Sequence, residues 1–348
     1  MAGIKDVAKE AGVSVATVSY VINKNKYVSP ELTRKVIDSI EKLSYYTNPV
    51  ARSLRNRKTG IIGVVLQNIR NIFFPQLLAG LEEYTRAHNY SLSFFNTYND
   101  PDTEKNVIST LKNMWVDGMI IDSCVEEKDE AAYVDFLDKN LTGKKIPVVF
   151  LERNPGSSKH SAVRIDNFSA GFEATNHLVK TGRNRLLHIA GAKDWSMVVE
   201  RLKGFQRALE ENALSDKAVI RYGNLRPQDG YEIMKDVLMH NLGINGVFAA
   251  NDQMALGAMK AIKEFGLNIP ADISVVGFDN IFVSTMIEPT LTTINVPKYA
   301  MGAAAARIVI EAVEKPGWEP EVLTLQANLI VRQSTDLLGD KNWELYGW

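Results

Sequence analysis

The sequence predicts a small N-terminal all-α helix-turn-helix domain followed by an α/β core of two doubly wound parallel-sheet subdomains. Three observations lead there. Short helical periods, punctuated by caps and a glycine, fill the first 47 residues. Beyond Gly60, near-continuous Val/Ile/Leu runs alternate with amphipathic helical stretches, the pattern of parallel sheets covered on both faces. The length, 348 residues, suits two or three domains.

In the head, Ile4, Val7, Ala8 and Ala11 recur at helical spacing, and Gly12 ends that helix because glycine readily takes the left-handed conformation. Ser14 caps a second helix, Val15–Asn23, with Val18, Val21 and Ile22 on its inner face. Ser29-Pro30, a cap followed by proline, opens a third that runs to about Leu43 with Leu32, Val36, Ile40 and Leu43 inward. Helix, glycine turn, helix is the arrangement that lays its second helix in a DNA major groove. The outward residues at the start of that helix are Val15, Ala16, Thr17 and, one turn on, Tyr20.

Residues 48–59 form a hinge and linker. Asn48 caps and Pro49 starts a segment too short to hold a helix alone, since one or two turns cannot offset nucleation. Leu54, flanked by Arg52, Arg55 and Arg57, suits a minor-groove wedge whose arginines hold phosphates.

In the body, strands are expected at Ile61–Leu66, Leu92–Asn96, Gly118–Asp122 and Pro147–Leu151. A second set follows at Ala162–Ile165, Leu186–Ala190, Ala218–Arg221, Gly246–Ala250 and Ile273–Phe278. Helices fall between them, among them Phe74–His88, Asp102–Trp115, Ala170–Lys180 and Gln253–Phe265. In such sheets ligands bind beyond the carboxyl ends of the strands.

The formal charge of −1 hides an asymmetry: eleven Lys/Arg face five Asp/Glu through residue 59, leaving 29 basic and 36 acidic residues beyond it. A basic head on an acidic body suggests that the head alone meets a polyanion. With one cysteine, Cys124, there is no internal disulfide framework, and no apolar signal region or membrane span is legible, so a cytoplasmic location is expected. Enzyme signatures are missing: no phosphate-loop glycine spacing, no Gly-x-Ser-x-Gly, and no metal-ligand pairing among His88, His160, His177, His188 and His240. No cofactor or metal is expected.

Asp6-Val-Ala-Lys-Glu-Ala-Gly-Val-Ser14, Ala16-Thr-Val-Ser19 and Val21-Ile-Asn23 closely resemble the start of the lactose/galactose-repressor family, and Val50-Ala-Arg-Ser-Leu54 its hinge helix. Ile165-Asp-Asn167, Arg201-Leu-Lys-Gly-Phe205, Asn251-Asp-Gln-Met-Ala-Leu-Gly257 and Asp272-Ile-Ser-Val-Val-Gly-Phe-Asp279 are similar to its effector-binding core, which looks like a periplasmic sugar-binding protein. The resemblance implies DNA contacts from Ser14, Val15, Ala16, Thr17, Ser19, Tyr20 and Asn23 in the head, and from Asn48, Ala51, Arg52, Leu54 and Arg55 in the hinge. Tyr20 departs from the arginine common at its position, and Thr47 from a proline often found before the hinge Asn. Effector contacts are expected from Phe73, Phe74, Glu152, Trp195, Arg201, Asn251 and Asp279: carboxylates to accept from hydroxyls, arginine to donate a fork, aromatics to stack.

The resemblance thus implies a head at 1–47 and a core at 60–348. The core's first subdomain takes about 60–162 and 291–325, its second about 163–290 and 326–348, with chain crossings near 162, 291 and 325. The implied function is a ligand-responsive repressor of a carbohydrate-utilisation operon, binding near-palindromic double-stranded operator DNA as a homodimer with a sugar or sugar derivative between the subdomains. Alternatives are a global catabolite regulator switched by a phosphorylated carrier protein, or a sugar-binding protein without a DNA role. No tetramer is expected, because the residues after Arg332 carry no heptad repeat.

Overall fold

The computed structural model describes residues 2–23, 26–45, 58–141, 143, 145–153 and 159–340. Two compact units, 1–59 and 60–348, divide the chain. The expected hinge, with Asn48, Ala51, Arg52, Leu54 and Arg55, lies outside the described residues, as do Thr47 and residues 341–348.

Helices α1 (Ile4–Ala11), α2 (Val15–Asn23) and α3 (Pro30–Lys42) make the head. Gly12 ends α1 at φ +66°. The Ser14 hydroxyl accepts from the Thr17 N–H (3.1 Å), and the Ser29 hydroxyl from that of Leu32 (3.4 Å), so one orphan donor at each helix start finds its cap. Val7, Ala8, Val18 and Val36 are buried together, with Ile4, Ala11, Val21, Ile22, Ile40 and Leu43 around them. Leu32, in the first turn of α3, is half-buried outside this cluster.

The body holds two six-stranded sheets. The first contains β1 (Ile61–Leu66), β2 (Ser91–Asn96), β3 (Gly118–Ile121), β4 (Val148–Leu151), β5 (Ser161–Ile165) and β11 (Val322–Leu325), in the spatial order β2-β1-β3-β4-β5-β11, all parallel. The second contains β6 (Leu186–Ala190), β7 (Ala218–Tyr222), β8 (Gly246–Ala249), β9 (Ser274–Asp279), β10 (Thr292–Asn295) and β12 (Asn328–Ile330), in the order β7-β6-β8-β9-β10-β12. Only β12 runs antiparallel to its neighbour. Each sheet reverses its winding beside its first strand, as doubly wound sheets do.

Two strand placements move the expected boundaries, and a third crossing lies where it was expected. The segment Ala162–Ile165, read as opening the second set, pairs through β5 with β4 of the first sheet, so the first crossing follows Ile165. The residues after 291, assigned to the first subdomain, instead form β10 beside β9. Its Thr292 and Thr293 are fully buried through hydrogen bonds to Thr335 (2.7 Å) and Asp252 (2.6 Å), so no apolar run announced the strand. The short strands β11 and β12 flank the third crossing, between 325 and 328.

Helices α4 (Phe74–Ala87), α5 (Pro101–Asn113), α6 (Glu130–Leu141) and α11 (Lys298–Glu314) belong with the first sheet; α7 (Asn167–Lys180), α8 (Ser196–Glu211), α9 (Pro227–Met239) and α10 (Asp252–Glu264) with the second. Three helix pairs cross glycine against glycine. A Cβ on Gly80 of α4 would lie 2.1 Å from the Tyr299 carbonyl, and one on Gly302 of α11 2.0 Å from that of Leu77. Gly171 and Gly204 do the same for α7 and α8 (2.5 and 2.2 Å), and Gly230 and Gly257 for α9 and α10 (2.0 and 1.9 Å). A side chain there meets backbone, which cannot swing aside.

In the core of the second lobe, His188 is fully buried between the Phe205 and Phe248 rings (4.9 and 4.7 Å), its Nδ1 on the Phe248 carbonyl at 2.9 Å. Burial pulls its pKa down to about 4, with the Arg201 charge acting the same way.

Two predictions follow from this packing. Gly302→Ala and Gly257→Ala should each cost more than about 2 kcal/mol by overpacking, whereas Gly143→Ala, with open space around it, should be nearly neutral in urea denaturation. Because the folded pKa of His188 lies below its unfolded value of about 6.5, its neutral form is the one the fold favours. Its contribution is therefore present above that value and is lost as pH falls through about 4. The stability difference between wild type and His188→Phe should change by on the order of 3 kcal/mol across that window; a pH-independent difference would contradict the assignment.

Candidate functional site

Polar residues gather where the strands end. Gln67 follows β1, Asp122 follows β3, Glu152 and Arg153 follow β4, Asn251 lies two residues past β8, and Asp279 closes β9. Gln67, Asp122, Ser123, Leu151, Glu152 and Arg153 from the first lobe, with Trp195, Ser196 and Met197 from the second, line one cleft. Its lining therefore comes from both lobes.

Arg201 of α8 is the joint of this cleft. Its Nε donates to Asn167 Oδ1 (2.8 Å), one terminal nitrogen to the Ala250 carbonyl (2.7 Å) and the other to Glu152 Oε2 (3.3 Å), while its guanidinium stacks 3.6 Å over the Phe278 ring. Asn167 begins α7, Ala250 follows β8 and Phe278 is in β9, all in the second lobe; Glu152 follows β4 of the first. The arginine is 2 % exposed and thus spans the lobes as a buried charge with several partners. Other contacts also cross between the lobes, among them the Ile72 N–H to Gln253 Oε1 (3.0 Å), the Glu127 N–H to the Asp194 carbonyl (2.9 Å), the Arg164–Glu200 ion pair (3.8 Å) and the Lys298 ammonium to the Asp279 and Asn280 carbonyls.

The floor on the first lobe is set by a second buried carboxylate. Glu104 of α5, fully buried, accepts from the Ser123 hydroxyl (2.6 Å), the Cys124 N–H (2.9 Å) and thiol (3.1 Å), and the Tyr133 hydroxyl. Gln67 donates to the Ser123 carbonyl at 2.6 Å. These bonds pin the segment that carries Asp122. Burial pushes the Asp122 carboxyl well above its ordinary range, with Glu152 and Glu104 adding to the effect. Glu152 is raised by burial, against the Arg201 charge, and Asp279 is raised well above its usual value for the same first reason.

Of the seven residues expected to meet an effector, Glu152 and Trp195 line the cleft and Arg201 bonds to Glu152. Asp279 is 5 % exposed and feels the Arg201 charge. Phe73 and Phe74 are buried in the core against each other, ring centroids 5.6 Å apart and nearly perpendicular. Asn251 is committed locally: its oxygen caps α10 by accepting from the Met254 N–H (2.9 Å), and its amide donates to the Leu225 carbonyl (3.0 Å). Sequence reasoning did not single out Gln67, Asp122, Ser123 or Asn167 as site residues. Asp122 had a signal, since it terminates an apolar strand run, and Asn167 stood inside a motif already recognised.

In the head, Ser14, Val15 and Ala16 are exposed at the start of α2, with Val15 at 42 %. Tyr20 is half-buried, and the Lys26 ammonium lies 5.1 Å from its ring centre. Thr17 shares a hydroxyl contact with Ser14 (2.9 Å). Asn23 folds back to donate to the Ser19 carbonyl (2.8 Å) and hydroxyl (3.1 Å), so those two side chains engage each other.

A helix-turn-helix head joined to a two-lobed α/β body with a polar interlobe cleft defines a ligand-responsive DNA-binding regulator. Residues 3–48 match the bacterial regulatory proteins of the lacI family, and residues 175–335 the periplasmic binding protein-like domain. The HTH-type transcriptional repressor PurR of Histophilus somni is 35 % identical over 339 residues, covering 97 % of this chain and all of that protein. Two solved structures are alike over 96 % of this chain. The lac repressor dimer bound to operator and the anti-inducer ONPF shows 27 % identity, 99 % coverage of that chain and a TM-score of 0.86. The transcriptional regulator CelR in complex with cellobiose shows 28 % identity, full coverage of that chain and a TM-score of 0.70. The chain belongs to the lacI family of bacterial regulatory proteins, and so acts in transcription control rather than as an enzyme. Among the described residues, no helix is long and apolar enough to cross a membrane.

Arg201→Ala should destabilise the protein by about 3–5 kcal/mol, because it strands the partners of a buried charge. Urea denaturation measures this, and a loss below about 1 kcal/mol would remove Arg201 as the joint.

Proposed function

We propose that the chain represses a carbohydrate-utilisation operon as a homodimer whose two heads occupy the half-sites of a near-palindromic operator, with a small sugar or sugar derivative in the interlobe cleft setting operator affinity. One observation carries this reading: Arg201 ties Glu152 of the first lobe to Asn167 and Ala250 of the second, beside a polar cleft. A ligand bound among these groups meets both lobes, so its affinity depends on how they are set. It can then shift operator affinity as far as it binds the two settings differently. The operator-bound lac repressor dimer and the cellobiose complex of CelR support the partners assigned.

In the head, Val15 and Ala16 would pack on thymine methyls in the major groove, with Tyr20 adding a hydroxyl or ring contact. Leu54 would enter the minor groove at the operator centre between Arg52 and Arg55, the hinge folding only on DNA.

Fluorescence anisotropy of labelled operator, titrated with and without a sugar panel, tests the whole. At least one sugar should change operator affinity by about tenfold or more, a coupling of about 1.4 kcal/mol. Specific operator binding that no sugar alters would contradict the effector assignment. Tyr20→Arg should change the preferred base in each half-site, because an arginine there favours guanine. An unchanged preference profile from a randomised-operator selection would remove Tyr20 from the readout.

A further inference from the structure

The cleft carries charges whose state constrains the ligand. Two arginines are present, and both are already neutralised. Arg153 pairs with Glu130 at 3.1 Å and donates to the Val125 carbonyl at 2.6 Å, leaving its buried Nε without a partner among the described residues. Arg201 pairs with Glu152 and also donates to Asn167 and Ala250. The nearby Lys298 ammonium donates to the carbonyls of Asp279, Asn280 (3.0 Å) and Val296 (3.3 Å). Its three donors are therefore all used.

The carboxylates keep acceptor capacity that the cations do not meet. Asp122, 5 % exposed and lining the cleft, has no ion pair among the described residues; its donors come from Gln67, the side-chain amide at a long 3.4 Å and the backbone N–H. Glu152 is 8 % exposed, and its Oε1, fully buried, has no hydrogen-bond partner among the described residues. A buried carboxylate oxygen left without a donor is costly, so such an atom in a cleft asks for a donor from the ligand. Two acceptors on adjacent strand ends, β3 and β4, ask for at least two.

We infer that Asp122 and Glu152 select the effector by charge: the cleft takes a donor-rich ligand that is neutral or carries an amine, such as a free sugar or amino sugar, and rejects sugar phosphates and sugar acids. This rests on the proposed sugar reading and narrows it. Hydroxyls or an ammonium would donate to Asp122 and to Glu152 Oε1. An anion would find each arginine already paired and would face two carboxylates of its own sign. Lys193, which could have served an anion, stands at 4.8 Å over the Tyr222 ring and is not among the residues lining the cleft.

The test uses the full-length protein and sugar skeletons each presented in matched charge forms: glucose, glucosamine, glucose 6-phosphate and gluconate, with the same forms of galactose, and ribose beside ribose 5-phosphate, plus cellobiose beside cellobionate. Isothermal titration should show the neutral or amino form of the bound skeleton at least about tenfold tighter than its phosphate or acid. Asp122→Asn, nearly isosteric, should narrow that ratio by about tenfold. A phosphate or acid binding as tightly as its neutral parent overturns the charge selection while leaving the sugar reading intact. A ratio unchanged in a folded Asp122→Asn protein removes Asp122 from the assignment. Silence from every skeleton in every form overturns the sugar reading, and the inference falls with it. The wild-type ratio decides the charge question even if the variant does not fold.

Discussion

The interlobe cleft is organised around the buried cation of Arg201. An arginine out of water is tolerable only with its charge and donors satisfied, and Arg201 is satisfied by groups from two lobes and four segments of chain. That requirement fixes the ends of β4, β8 and β9 and the first residue of α7 relative to one another. The cleft is therefore defined by the arginine's partners as much as by the sheets.

Its position depends in turn on backbone proximity. A Cβ on Gly171 would strike the Arg201 carbonyl at 2.5 Å, and one on Gly204 that of Phe168 at 2.2 Å. Only glycine at both positions lets α7 and α8 approach closely enough for Arg201 Nε to reach Asn167 at 2.8 Å. The other two glycine crossings repeat the same device, α4 with α11 and α9 with α10. Close helix packing, lobe alignment and cleft chemistry are one chain of dependence.

Much of this was legible before any coordinates. The head's caps at Ser14 and Ser29, the stop at Gly12 and the buried row of Val7, Val18 and Val36 follow from local rules that tertiary packing did not override. Strands buried on both faces, such as β1 and β9, announced themselves as apolar runs. β10 did not, because its threonines are buried by hydrogen bonding instead of apolar contact. β11 and β12 are short and half-exposed, so they carry little pattern. In the cleft, Arg201 and Glu152 were singled out because their side chains suit hydroxyl recognition, and the structure bonds them to each other. Asn251 looked equally suitable, but an Asn before a helix is also a cap, and the cap is the use the structure shows. Phe73 and Phe74 were ambiguous for a similar reason, since aromatic rings suit a core as well as a sugar face. The glycine pairs are long-range, and single-sequence spacing says nothing of which glycine meets which helix.

The central claim is that the bond between Arg201 and Glu152 couples the two lobes, and a double-mutant cycle measures it directly. Wild type, Arg201→Gln, Glu152→Gln and the double variant would be compared by urea denaturation of the full chain. The account predicts a coupling of at least about 1 kcal/mol, with the second substitution costing less once the first is made. Additivity within about 0.5 kcal/mol would mean the two residues are neighbours without being partners, and the cleft would need another joint.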